Sequence, residues 1–279
     1  MPEGLLQHEP WLQLVAFAGV LLAMAGWELV ASRRPQRVPR RRRWPANLMI
    51  VVVDTLALRL VFPLAAVGVA LAIAPHGWGM MPWLGVPWWL SVPLCVLALD
   101  VVIYFQHRLF HAVPWLWRLH RMHHADLEID VTTGLRFHPL EILLSMLLKV
   151  VVVLALGAPA VAVLFFEVIL NASSLFNHAN ARLSSRLDRW LRCLVVTPDM
   201  HRVHHSWRQH ETDSNFGFNL SWWDRLFGTY RAQPEEGHLG MTIGLKVFRD
   251  PRELRLGQML TQPFRRPVPQ PEGKPISRE

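Results

Sequence analysis

The 279-residue chain has 29 lysines and arginines against 21 aspartates and glutamates, giving a net charge of +8, and it is 52% hydrophobic but only 18% charged. An ordinary soluble domain carries about 25% charged residues, so this composition, with thirteen tryptophans, excludes that class and indicates a polytopic membrane protein. Two cysteines, Cys95 and Cys193, fall in different environments and exclude both a disulfide framework and a thiolate metal site.

Four apolar runs, residues 11–31, 46–74, 86–105 and 140–176, contain few charges. Each of the first three is long enough to cross a hydrocarbon core about 30 Å thick. The first run lacks a basic N-terminal flank and reads as a retained helix, not a cleaved signal. Seven arginines follow between Arg33 and Arg43. The positive-inside rule places this loop in the cytoplasm, with the N-terminus outside. A position between two spans favours contact with anionic headgroups over nucleic-acid binding. The second run leads outward, and the third returns to bring His107 to the cytoplasmic surface.

Residues 107–124, HRLFHAVPWLWRLHRMHH, carry five histidines, and residues 201–205, HRVHH, carry three more. His107 and His111 are four apart. His120, His123 and His124 stand three and four apart, a pattern that His201, His204 and His205 repeat. On helices each group projects imidazoles from one face. Neutral imidazole is the commonest protein ligand for first-row metals, so three such groups point to more than one metal ion. His8, His76, His210 and His238 lie outside these boxes and read as surface or capping residues. Trp115 and Trp117 read as interfacial anchors.

The fourth run breaks at Gly157, Ala158 and Pro159 into two segments of about 17 residues, each about 25 Å long as a helix. A tight hairpin would return His178 to the side of His138. One long kinked helix would exclude His178 from the cluster. From Gln233 onward prolines, glycines and basic residues dominate, which predicts a tail with partial order to about Asp250 and little beyond. The expected organisation is transmembrane helices over 1–105, a histidine-box region over 106–232 containing the hairpin 140–176, and a cytosolic tail over 233–279.

Taken together, HRLFH, HRMHH, RFHPLE at Arg136–Glu141, NHAN around His178, and TPDMHRVHH followed by SNFGFNLSWWDRLFGTYR resemble the membrane-bound fatty acid hydroxylase and sterol desaturase superfamily. The resemblance covers about residues 95–231. It implies an all-α fold with a cytosolic helical cap, a non-haem centre of two iron ions, dioxygen as co-substrate, and oxidation at a carbon of a membrane lipid. The ligands it implies are His107, His111, His120, His123, His124, His178, His201, His204 and His205. His138 is a tenth candidate, or else the cap of a helix beginning at Pro139. Some family members have a further histidine box after the hairpin, where this chain has Arg182.

Neutral imidazoles leave a metal pair positively charged, so carboxylates are expected to orient ligand N–H groups. Asp100, Glu141, Asp199 and Asp213 are the candidates, with Asn177, Asn180 and Asn215 as further orienting groups. Asp126 and Asp224 read as helix caps or surface ion pairs. No haem attachment motif, four-cysteine cluster or dinucleotide fingerprint is visible, so electrons are expected from a separate acidic donor protein docking on the basic face. A zinc-dependent lipid hydrolase needs only three protein ligands, and a metal-handling protein would string its ligands along a path through the spans. These are the competing readings, and a requirement for dioxygen separates them from the first. Nothing in the sequence selects an oligomeric state.

Overall fold

The computed structural model describes residues 6–267. Among these the architecture is helical, with three isolated β-bridges and no strand. The long elements are α1 (Glu9–Val30), α2 (Arg40–Val61), α3 (Ala65–Ile73), α4 (Trp88–Ala112), α5 (Pro114–His124), α6 (Pro139–Leu156) and α7 (Ala160–His178). Five stretches are long and apolar enough to cross a membrane: α1, α2 with α3 and the turns to Trp83, α4, α6 and α7. The chain is an all-α polytopic membrane protein. The second apolar run is not one helix, because Pro63 disfavours helical backbone at Phe62 and has no N–H to donate.

Contacts at the helix ends define the topology. The chain after α1 is stitched to the chain after α7, Arg33 N–H to the Asn180 carbonyl and Arg182 N–H to the Ala31 carbonyl, both at 2.8 Å. Those two helices therefore end on the same side. At the opposite side Gly157 turns α6 into α7 with φ +62°, and its backbone lies directly against that of Gly79, φ +104°. A Cβ at Gly79 would stand 2.1 Å from Gly157 N, and one at Gly157 2.1 Å from the Trp78 carbonyl oxygen. The fourth apolar run is thus a hairpin, and His138 and His178 share one side. Inside it, Glu167 of α7 meets Lys149 of α6 at 2.7 Å and Gln13 of α1 at 2.9 Å, fixing the register of three spans.

The shared side is closed by a buried polar lattice. Arg43, fully buried, donates to Asp126 at 2.7 and 2.8 Å and to Asp130 at 2.6 Å. Asp130 also caps the 3₁₀ turn Val131–Leu135, and Glu28 of α1 accepts from Val131 N–H and Asn180 N–H at 2.7 Å each. The arginine-rich loop is therefore largely structural. Arg34 holds the His238 and Met241 carbonyls and Arg33 holds Asp199, which leaves Arg37, Arg41 and Arg42 as its exposed members. Asp126, expected as a cap or surface pair, is a buried ion-pair partner.

Beyond Asp250, where the sequence predicts little order, the chain forms α11 (Leu256–Thr261) and a 3₁₀ turn to Phe264. Met259 is fully buried in a cluster with Ile50 and Met122. Arg121 donates to the Gln262 and Arg265 carbonyls at 2.6 and 2.7 Å. The polar composition of this segment conceals that its anchors are one methionine and its own carbonyls. Before it come short helices that form the cap, among them α8 (Ser185–Leu191), α9 (Pro198–His204) and α10 (Trp222–Leu226).

Replacing Arg43 with leucine strands two buried carboxylates. The expected loss is about 3–5 kcal/mol, measured by denaturant unfolding in mild detergent. Arg41→Leu, at an exposed position, is expected to cost under about 0.5 kcal/mol.

Candidate metal centre

Each histidine is set by the end of an element. His107 and His111 occupy the last turns of α4, and His120, His123 and His124 the end of α5. His178 is the last residue of α7, and His201 and His204 lie on α9, with His205 as its C-cap. α9 begins correctly because Pro198 fills its first turn and Thr197 Oγ1 accepts from Met200 N–H at 3.3 Å. Thr197 in turn donates to Asp188 of α8 at 2.6 Å.

The nine histidines converge in two groups. One holds His107, His111, His120, His124 and His204, the other His123, His178, His201 and His205, with ligand atoms in each group lying within 4.8 Å of one another. The HxxHH boxes divide between them. From α5 the i, i+4 pair His120 and His124 joins the first group and His123 the second. From α9 the i, i+4 pair His201 and His205 joins the second and His204 the first. The groups abut, with His124 and His205 stacked at 4.6 Å.

The donor sets fit metal ions. His120 Nε2 stands 3.1 Å from His107 Nε2 and 3.2 Å from His124 Nε2, and His178 Nε2 stands 3.1 Å from His123 Nε2 and 3.0 Å from His201 Nε2. Donors sharing one ion at about 2.0–2.1 Å have separations of this size. In His107 and His120 the Nδ1–H is already committed, to the Phe216 carbonyl at 2.8 Å and to Glu141 Oε1 at 2.6 Å. Their Nε2 atoms thus face each other as lone pairs with no proton between them. Nε2 of His111 and of His204 is buried without any partner. A cation resolves all of these contacts.

Outer contacts fix the rings. Besides Phe216 and Glu141, the Ser214 carbonyl takes His204 Nδ1–H at 2.8 Å, the Ser174 carbonyl takes His178 Nδ1–H at 2.7 Å, and Asp213 takes His111 Nδ1–H at 3.2 Å. Phe137 stacks on His123 at 4.6 Å. Burial, and then neighbouring imidazoles, hold His123, His124, His201, His204 and His205 well below the ordinary histidine range, and burial pushes His120 down to about 3. Unprotonated imidazole is the state that binds metal.

Other candidates lie elsewhere. His138 is not brought to either group: its Nδ1 accepts from Leu140 N–H at 3.2 Å, capping α6, and its Nε2 donates to the Leu260 carbonyl at 3.1 Å. Asp100 tethers the cap, accepting from Trp223 Nε1 at 2.8 Å and Leu220 N–H at 3.2 Å. Asp199 pairs with Arg33, Arg202 and the buried His238 instead of a ligand imidazole. Asn177 donates to the Phe218 carbonyl at 2.7 Å, while Asn180 and Asn215 bond main-chain groups of neighbouring loops. Trp117 packs on His111 at 4.9 Å and so belongs to the site, whereas Trp115 is exposed. Asp224, expected as a helix cap or surface ion pair, is fully buried and accepts Phe216 N–H at 2.7 Å and Gly217 N–H at 2.9 Å. It thereby holds the carbonyl that orients His107. Side-chain type cannot reveal carbonyl partners such as Ser174, Ser214 and Phe216.

Gly134 packs the 3₁₀ turn onto α7, where an added Cβ would stand 2.8 Å from the Ser174 carbonyl and 3.1 Å from His178 Nδ1. Gly134→Ala is expected to weaken metal retention in the four-histidine group by about 10–100-fold, read as metal content per chain during chelator titration. Folded pKa values below the unfolded value of about 6.5 mean that the unfolded chain binds more protons as pH falls through that value. Metal-free protein is therefore expected to lose thermal stability from about pH 7.5 to about pH 5.5. Metal-loaded protein should lose less, because coordinated nitrogens are closed to protons.

Residues 92–229 match the family model for fatty acid hydroxylase. The chain is 32% identical over 209 residues to an ornithine lipid hydroxylase of Rhizobium tropici, covering 74% of this chain and 59% of that protein. It is 28% identical over 174 residues to alkylglycerol monooxygenase of Homo sapiens, covering 60% of this chain and 36% of that one. It is 27% identical over 154 residues to cholesterol 25-hydroxylase of Rattus norvegicus, covering 53% and 49%. No solved structure matches. With the family model spanning every histidine of both groups, the chain belongs to the fatty acid hydroxylase superfamily.

Proposed function

We propose that the protein is a membrane-bound non-haem di-iron oxygenase that uses dioxygen and electrons to hydroxylate a C–H bond of a lipid. The observation that carries this reading is the partition of nine buried histidines into a five-ligand and a four-ligand group in contact with each other. That many imidazoles exceed what one hydrolytic zinc site requires. The relatives named above are hydroxylases and monooxygenases whose names specify lipids or sterols, and a lipid is the substrate class proposed here.

Two iron ions, when bound, supply the reduction of dioxygen and the oxidising power to attack an unactivated C–H bond. His107, His111, His120, His124 and His204 would hold one, and His123, His178, His201 and His205 the other. Glu141 and Asp213 keep His120 and His111 in the tautomer that offers Nε2, and the carbonyls of Ser174, Ser214 and Phe216 do the same for His178, His204 and His107. Phe137 and Trp117 shield ligand rings from water. No ligand is a carboxylate, so the charge of the ions is offset from one bond further out.

Electrons come from a separate acidic donor protein. Its docking face is the histidine end, where Arg37, Arg41, Arg42, Arg182, Arg186 and Arg189 are exposed. That end faces the cytoplasm and the N-terminus the opposite side, a reading supported by the arginine-rich connection between the first two spans.

The test is isotopic. Iron-loaded protein in vesicles, supplied with a reductant and labelled dioxygen, is expected to place one labelled oxygen in the lipid product. His204→Ala should abolish incorporation and lower iron content, and Glu141→Gln should reduce the rate by about 10–100-fold. Product formed in the absence of dioxygen would move the reading to hydrolysis.

A further inference from the structure

Outside the metal centre the clearest cavity is an apolar groove of about 600 Å³ between the end of α2, α5, the first turns of α6 and the Pro263–Phe264 turn. Its size falls within the range of about 300–1,000 Å³ usual for ligand pockets. Its wall includes Val61, Phe62, Leu143, Leu147 and Phe264. Close in the chain to its lining residues are exposed apolar ones, Leu60 and Leu64 flanking Val61 and Phe62, and Val151 one turn beyond Leu147, a surface along which a bilayer acyl chain would reach it.

One cation stands in this wall. Arg118 uses Nε on the Pro263 carbonyl at 2.6 Å, and among the described residues no carboxylate pairs with it. Its neighbours Arg121 and Arg265 add positive charge, and among the described residues the ion pair at these three arginines is Arg265 with Glu253. Trp115, 61% exposed, shares the groove wall, as an aromatic at a headgroup boundary does. A hydrocarbon would leave the Arg118 terminal nitrogens without a partner, and a sterol would offer them one uncharged hydroxyl oxygen. A phosphate on an acyl chain would supply one.

We propose that this groove binds a chain of an anionic bilayer lipid, with its phosphate held by Arg118. The proposal deepens the lipid reading, on which it rests, by naming the headgroup charge. The groove shares a wall with the metal centre, because Leu119 and Leu140 line it while the next residues, His120 and Glu141, are hydrogen-bonded at 2.6 Å within the centre.

The experiment uses the full chain in vesicles in which the lipid carries a brominated chain, either on phosphatidylglycerol or on phosphatidylcholine, with quenching of Trp115 taken as the difference from Trp115→Phe. Stronger quenching by the anionic lipid is expected. Arg118→Gln should lower that preference by about fivefold, and Arg118→Lys should keep it. Equal quenching by the two lipids, or a preference unchanged in Arg118→Gln, overturns the proposal. Quenching that rises when residues 268–279 are removed also overturns it, since the occupant would then be the chain's own C-terminus. The readout needs no turnover, so it separates the two readings: anionic-lipid binding in a protein that oxidises no lipid supports the groove and counts against the oxygenase, whereas oxidation without groove preference overturns the groove alone.

Discussion

Nine uncharged imidazoles buried with their lone pairs converging are the constraint on which the rest of the structure depends. Such an arrangement is unfavourable without a cation and is lost if any ring rotates, so each donor must be held from behind. Hydrogen bonds hold five of the nine, from a helix carbonyl at Ser174, the cap-loop carbonyls of Ser214 and Phe216, and the carboxylates of Glu141 and Asp213. Asp224 then holds the loop that presents one of those carbonyls. The site is therefore a tertiary object in which short helices are fixed by contacts and caps more than by their own length.

The lattice centred on Arg43 serves the same constraint from the other flank. It buries a guanidinium against two carboxylates and positions the 3₁₀ turn that lies on Ser174 and His178. Geometry of this quality is needed to offset the desolvation of three charges. Glu28 ties the same turn to α1, and the buried Glu167–Lys149 pair sets the hairpin register. The helices that end at the histidines are thus referenced to one another at both depths.

Placing the centre at helix ends, and not midway along them, lets a water-facing cap and lipid-facing spans share one site. In the proposed reading, the groove near Arg118 would admit a lipid chain and the exposed arginines at the histidine end would meet the donor protein. A chain entering from the bilayer and an electron donor docking from water would not compete for one surface.

The amino-acid sequence by itself determined the spans, through long apolar runs, and the identity of eight ligand candidates, through histidines recurring at three- and four-residue intervals, while His178 entered only through the family resemblance. Both are local properties, since a helix repeats every 3.6 residues and hydrophobic length is counted along the chain. Which histidine joins which group was decided by tertiary structure alone: His120 and His123 share a helix end yet serve different groups, because partners from α4, α7 and α9 approach it from two sides. The hairpin likewise required the Gly79–Gly157 contact, between residues far apart in sequence. Carboxylates could be proposed from sequence as orienting groups, but only position separated Glu141 and Asp213 from Asp100 and Asp199. His138 became a helix cap because the 251–264 segment folded back and offered its Leu260 carbonyl. Orientation across space follows from packing and from main-chain carbonyls, which every residue type presents alike.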